Sequence, residues 1–309
     1  MSSRPPASGA KRSERSSGRP GTGVAFEQAR AQGRAVLVGY LPAGFPTVAG
    51  AVAAIRAMVE AGVDLVEVGL PYSDPVMDGP VIQRATEAAL AGGVRTADTL
   101  RTVESVVAAA GGAVPVLVMT YWNPIERYGV DRFARDLAAA GGAGLITPDL
   151  LPEEAGDWLA AADAHRLDRV FLVAPSSTEQ RLAVTAAACR GFVYAAALMG
   201  VTGAREQVSQ AAPELVARVR AAAPAVPVGV GLGVRDGAQA ATVAGYADAV
   251  IVGSALVNLL LEAPDEATGR DRLRALTAEL AAGVRELRSA PAAPVDVGVA
   301  VGNKSDRAG

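Results

Sequence analysis

The 309-residue chain holds two lysines, Lys11 and Lys304, one histidine, His165, and one cysteine, Cys189. The other 27 of its 29 basic residues are arginine. Each shortage excludes a class of chemistry. A lone cysteine forms no internal disulfide, which favours a cytoplasmic setting. A His/Cys metal centre needs several such ligands, so no metal site is expected. A Ser-His-Asp triad would rest wholly on His165, and a Schiff-base lysine would have to come from near a terminus. Aromatic residues make up 4% of the chain. No secretory apolar segment and no membrane-length apolar run is seen. The balance of 29 basic against 32 acidic residues gives no basic surface for nucleic acid. Catalysis in the body of the chain must therefore use carboxylates, hydroxyls, backbone amides or arginine.

What is present is organised as a repeat. Residues 1–23 are rich in Ser, Pro, Gly and Arg, with five basic side chains against Glu14, and read as a disordered basic arm. Residues 289–309 read as a second loose tail. Between them, short β-branched runs alternate with longer Ala/Leu/Arg-rich helical stretches. The strand candidates are Ala35–Leu41, Leu65–Leu70, Val114–Met119, Gly144–Thr147, Val170–Ala174, Phe192–Ala195, Pro227–Val230 and Ala249–Val252. Continuous apolar strands suit a parallel sheet buried on both faces. Eight strand–helix units across residues 24–288 predict an α/β fold, a (β/α)8 barrel. Extra helices are expected at Val24–Gln32, Pro80–Ala91 and Arg270–Arg288.

In such a barrel the chemistry sits at the C-terminal ends of the strands. Glycine turns follow the sixth, seventh and eighth strands: Gly200-Val201-Thr202-Gly203, Gly231-Leu232-Gly233-Val234 and Gly253-Ser254-Ala255. Each alone could serve only a tight turn. Together, with Ser254 opening a helix, they suit a phosphate held by backbone amides and a helix dipole. Glu67 lies inside the apolar second strand, where burial should raise its pKa and fit it to move protons near neutrality. The competing possibility is a structural glutamate paired with a buried arginine, yet no arginine stands near it in the strand set. The following loop, Pro71 to Pro80, carries Asp74 and Asp78. Asp78 is either the N-terminal cap of the next helix or the second member of a carboxylate pair with Glu67. His165 and Cys189 fall near helix ends, away from the strand tips, and are expected to be inert.

The run Glu67-Val68-Gly69-Leu70-Pro71-Tyr72-Ser73-Asp74-Pro75-Val76-Met77-Asp78-Gly79-Pro80-Val81-Ile82-Gln83 closely resembles the signature of the tryptophan synthase alpha chain. Tyr40-Leu41-Pro42-Ala43-Gly44-Phe45-Pro46, Met119-Thr120-Tyr121-Trp122-Asn123-Pro124, Gly200-Val201-Thr202-Gly203 and Val252-Gly253-Ser254-Ala255 resemble the same family in the same order. The resemblance spans about Val24 to Arg288. It implies a carbon–carbon lyase that splits indole-3-glycerol phosphate into indole and glyceraldehyde 3-phosphate. By resemblance Glu67 is the proton shuttle and Asp78 accepts the indole N–H. Thr202 pairs with that aspartate on loop closure, and Tyr194 lies near the catalytic glutamate. Gly203, Gly233, Gly253 and Ser254 hold the phosphate, and Tyr40 lines the indole pocket. Met119 and Leu145 are looser pocket candidates.

The resemblance also implies a tryptophan synthase beta chain as partner in an alpha2beta2 tetramer. That partner would receive the indole and carry the pyridoxal phosphate, with no cofactor in this chain. The Asp74-Pro75 loop and Asn123-Pro124 would face it. Two departures stand out: Gly44-Phe45-Pro46 replaces the frequent Gly-Asp-Pro, and Leu151 stands before Pro152 where the family often has proline. Phe45 is expected to make an outer contact. The glycine turns alone would also suit a phosphosugar isomerase, and a regulatory subunit with weak cleavage would keep the partner surface. The second-strand motif argues against the first, and the retention of both carboxylates against the second.

Overall fold

A computed structural model describes residues 21–197 and 205–286, with backbone only for 205–210. Residues 1–20 of the expected arm at 1–23, the tail at 289–309, and Thr202 and Gly203 lie outside the described residues. Eight parallel strands close into one barrel in sequence order: β1 (Val36–Pro42), β2 (Leu65–Gly69), β3 (Val116–Met119), β4 (Gly144–Thr147), β5 (Asp168–Val173), β6 (Val193–Ala196), β7 (Val228–Gly231) and β8 (Ala249–Val252). The helices are α1 (Thr22–Ala31), α2 (Val48–Glu60), α3 (Pro80–Ala91), α4 (Thr96–Ala109), α5 (Trp122–Tyr128), α6 (Val130–Ala139), α7 (Gly156–Ala164), α8 (Glu179–Ala188), α9 (Arg205–Ala222), α10 (Gly237–Ala244), α11 (Ser254–Leu261) and α12 (Glu266–Arg285). The expected (β/α)8 barrel with added helices is what forms.

The strands read as unbroken apolar runs because both of their faces are buried. Alternate residues of each strand point to opposite sides. Val36, Val38, Leu65, Leu117, Ile146, Val170, Phe192, Ala249 and Ile251 fill the barrel interior. Their neighbours Leu37, Val66, Val118, Leu145, Phe171, Val193, Val230 and Val250 pack outward against the helices. Leu145 therefore belongs to the outer shell and not to a ligand pocket. Phe45 is buried in the same shell, the outer contact anticipated for it.

Helix α1 closes the bottom of the barrel. Its Phe26 and Ala29 join the interior cluster, and the Phe26 and Phe192 rings lie 5.5 Å apart. This helix starts two residues earlier than the sequence pattern suggested, because Thr22 is held by Asp168 of β5. The Thr22 N–H and hydroxyl both donate to Asp168 Oδ2 at 2.7 Å. Arg190 Nε stands 3.6 Å from the other oxygen. The last helix also starts early. Asp265 caps α12 by accepting from Thr268 N–H at 2.8 Å, so Gly269 in the first turn is tolerated. Helix α5 was not anticipated, since seven residues are too few to show a helical period and Pro124 obscures its first turn, where proline is permitted.

The N-terminal plug thus hangs on one carboxylate. Asp168→Ala should lower unfolding free energy by about 2–4 kcal/mol through two lost charge-assisted bonds, read by urea denaturation. An unchanged midpoint would show that α1 packs independently of Asp168.

Candidate active site

Glu67 lies in β2 between Tyr40 of β1 and Leu117 of β3, its partners in strand register. It shares the inward parity of Leu65 and is 0% exposed. Among the described residues neither carboxyl oxygen has a hydrogen-bond partner, and no arginine pairs with it. Burial alone pushes its pKa up to about 8, so the group is mainly protonated at neutral pH. The structural alternative of a buried Glu–Arg pair finds no support in this geometry.

Asp78 is half-buried in the loop between β2 and α3. It does not cap the helix: the cap position is Gly79, with no side-chain bond. Instead it lines a small cavity of about 20 Å3 together with Tyr40, Leu70, Tyr72, Met119 and Tyr121. Burial raises its pKa to about 6, partly offset by hydrogen bonding with the Tyr121 side chain. Tyr121 itself was not singled out from the sequence, although its place directly after β3 and Thr120, at the mouth end, was a usable signal. Its hydroxyl accepts from Met77 N–H at 2.9 Å. Thr120, on the same cavity wall, buries a hydroxyl that has no partner among the described residues.

Two tyrosines enter the barrel mouth in the same way. A Cβ on Gly69 would sit 2.2 Å from the Tyr40 hydroxyl oxygen, and one on Gly231 would sit 2.5 Å from that of Tyr194. In each case the ring leans over a glycine of the next strand, two residues beyond its register partner. Only glycine leaves that space. Burial raises both phenol pKa values, with further contributions from Glu67 and Asp78. Those two carboxyls therefore act on one shared volume. Glu67 does not line the cavity itself; the Tyr40 ring, over Gly69, takes the mouth-side position next to it.

The turns after β7 and β8 differ at their helix starts. Asp236 caps α10, accepting from Gln239 N–H at 2.8 Å. Helix α11 begins with an exposed Ser254 after Gly253, which supplies no side-chain cap. The first-turn amides of α11 are thus the ones left open to an anion. Gly233 has φ +76°, and a Cβ placed on it would meet nothing within 4 Å, so its backbone is open to close approach. Among the described residues no three His, Cys, Asp or Glu side chains converge as metal ligands. No described helix is long and apolar enough to cross a membrane.

The family profile of the tryptophan synthase alpha chain matches residues 26–285. The chain belongs to that family. The tryptophan synthase alpha chain of Salinispora arenicola is 71% identical over 263 residues, covering 85% of this chain and 97% of that one. The tryptophan synthase alpha chain of Mycobacterium tuberculosis is 67% identical over 263 residues, covering 85% and 94%. Among solved structures, M. tuberculosis tryptophan synthase matches at 65% identity and TM-score 0.78, covering 85% of this chain and 98% of that chain. The alpha subunit from Legionella pneumophila matches at 34% identity and TM-score 0.75, covering 85% and 97%. The tryptophan synthase alpha chain match thus takes in the whole barrel, both carboxyl groups and both tyrosine–glycine pairs.

Burying Glu67 must weaken the fold as pH rises. Its pKa is raised on folding, from 4.5 to about 8, so stability is full below the lower value and is lost as pH climbs to the upper one. At pH 7 the loss is roughly 3 kcal/mol. Glu67→Gln, which cannot ionise, should therefore melt above the parent protein at pH 8, with the gap closing below pH 4.5. A lower melting point at pH 8 would reveal a stabilising partner for the carboxylate.

Proposed function

We propose that this chain is the alpha subunit of tryptophan synthase, a lyase that cleaves indole-3-glycerol phosphate into indole and glyceraldehyde 3-phosphate. The observation that carries this reading is the pair of carboxyl groups with unlike environments, Glu67 buried within the barrel and Asp78 on the cavity at its mouth. Glu67 is uncharged near neutrality, and Asp78 is largely charged. Glu67 donates its proton to indole C3. The positive charge that develops on the ring is stabilised by Asp78, which accepts a hydrogen bond from the indole N–H. Glu67, now a carboxylate, takes the proton of the hydroxyl on the carbon attached to C3. The bond between that carbon and C3 breaks, its electrons restore the aromatic ring, and the carbon leaves as an aldehyde. No imine or metal is required.

Tyr40, Tyr194 and Met119 form walls around the indole. The phosphate is held at the open start of α11 by Gly253 and Ser254, with Gly233 approaching from the neighbouring turn. Thr202 and Gly203 complete the set by resemblance and lie outside the described residues. Residues 24–288 are the catalytic barrel, which α1 extends back to Thr22, and the flanking arm and tail stand outside it.

The partner is the tryptophan synthase beta chain in an alpha2beta2 tetramer, and the setting is cytoplasmic. Val76 and Met77, 83% and 52% exposed beside the Asp74-Pro75 turn, supply apolar surface for that contact. Pyridoxal phosphate belongs to the beta chain, since this chain has no lysine between Lys11 and Lys304 to form an imine with it.

Purified protein supplied with indole-3-glycerol phosphate, with and without beta chain, should release indole; none under either condition refutes the assignment. Glu67→Gln and Asp78→Asn should each lose orders of magnitude in turnover while still folding. The pH dependence of kcat/KM should be bell-shaped, falling below about 6 as Asp78 is protonated and above about 8 as Glu67 loses its proton. A profile flat from pH 5 to 9 would remove both groups from the reaction. Ser254→Ala should raise KM several-fold at nearly constant kcat. The reverse split would place the phosphate elsewhere.

A further inference from the structure

The reading of Asp78 as the indole N–H acceptor leaves open what holds an exposed-loop carboxylate in place. Within the loop from Gly69 to Pro80, Val76 N–H donates to Asp74 O at 2.9 Å and Asp78 N–H to Pro75 O at 3.0 Å, and Val76 and Met77 are open to solvent. Two tyrosine contacts tie it to the segment after β3. The Tyr72 hydroxyl accepts from Asn123 Nδ2 at 3.0 Å, and the Tyr121 hydroxyl accepts from Met77 N–H at 2.9 Å. The two rings pack 5.4 Å apart. Tyr121 is 6% exposed and lines the Asp78 cavity.

A phenol hydroxyl has one proton and two acceptor positions. With one acceptor position filled by Met77 N–H, the proton remains for the carboxyl one residue further on. The charges that act on Tyr121 are Asp78 and Asp149, the latter accepting from Trp122 N–H at 2.9 Å. Burial first, and then these two negative charges, push its pKa up to about 12, so the hydroxyl stays in its protonated, donating form. Among the described residues the other titratable groups around this volume are Tyr40 of β1, Glu67 of β2, Tyr72 of the same loop and Tyr194 of β6. None of these is a cation that could hold the Asp78 carboxylate charged.

We propose that Tyr121 is a positioning residue for the cleavage: its hydroxyl, pinned by Met77 N–H, donates to Asp78, keeps that carboxylate charged and aims it into the cavity. The inference rests on the catalytic reading of Asp78. Removing the hydroxyl makes Asp78 easier to protonate, so its acid limb must move toward neutrality. A purely structural tyrosine would lower activity equally at every pH.

The test is the pH profile of kcat/KM for Tyr121→Phe, measured by indole release with beta chain present. The acid limb should move up by about one pH unit, with about a tenfold loss near pH 6.5, chiefly in kcat. The melting temperature should change little, because Met77 N–H can turn to water. The complementary substitution, 3-fluorotyrosine at position 121, keeps ring and hydroxyl but makes a stronger donor. It should move the acid limb down, and it reports even where Y121F folds poorly. An unshifted limb in either folded variant, whether activity falls uniformly or not at all, overturns the proposal. If the unaltered protein releases no indole, the catalytic reading fails first, and the two failures are thereby distinct.

Discussion

A carboxyl group placed inside a closed barrel with no hydrogen-bond partner among the described residues is unfavourable in its charged form, and much of this structure can be understood as what makes that placement possible. Glu67 has Leu65 below it on the same strand and Leu117 beside it, and the plug of α1 closes the floor. Water has no path to it from beneath. The cost of keeping it there is carried by the apolar packing on both sides of eight strands. The same desolvation that weakens the fold near neutral pH leaves a carboxylic acid able to donate a proton there.

The mouth of the barrel shows how backbone space is converted into side-chain position. Tyr40 and Tyr194 each lean into room left by a glycine on the next strand, Gly69 and Gly231. Two aromatic walls are thereby set around the volume that Glu67 and Asp78 both influence. Asp78 works under a different constraint. It lies on a loop with exposed apolar tips, so its environment depends on contacts from the segment after β3 and from α5, above all Tyr121 and the Tyr72–Asn123 bond. The buried glutamate is insulated from events at the surface, whereas the aspartate sits where a partner covering Val76 and Met77 could move it.

Much of the architecture was legible in the chain. Eight apolar runs, each bounded by glycine or a helical stretch, correspond to β1–β8 to within a few residues at their ends. Glu67 stood out because an ionisable residue interrupts one of those runs. Local pattern was less informative where a contact distant in sequence sets a boundary. Thr22 is helical because Asp168, 146 residues away, receives its hydrogen bonds. Leu145 and Met119 were equal as pocket candidates in one dimension, but strand parity sends Leu145 outward and Met119 to the cavity. Asp78 fitted both a helix cap and a paired carboxylate until Gly79 was seen to occupy the cap.

The sequence by itself determined the barrel and the place of an ionisable Glu67 inside one of its apolar strands, because periodicity and residue order do not depend on distant contacts. Only the tertiary structure decided that Glu67 has no hydrogen-bond partner among the described residues, that Tyr121 lines the same cavity as Asp78 and that α11, not α10, presents an uncapped helix start. Each of those properties depends on which atoms from separate strands and loops come within a few ångströms, and barrel closure alone sets that.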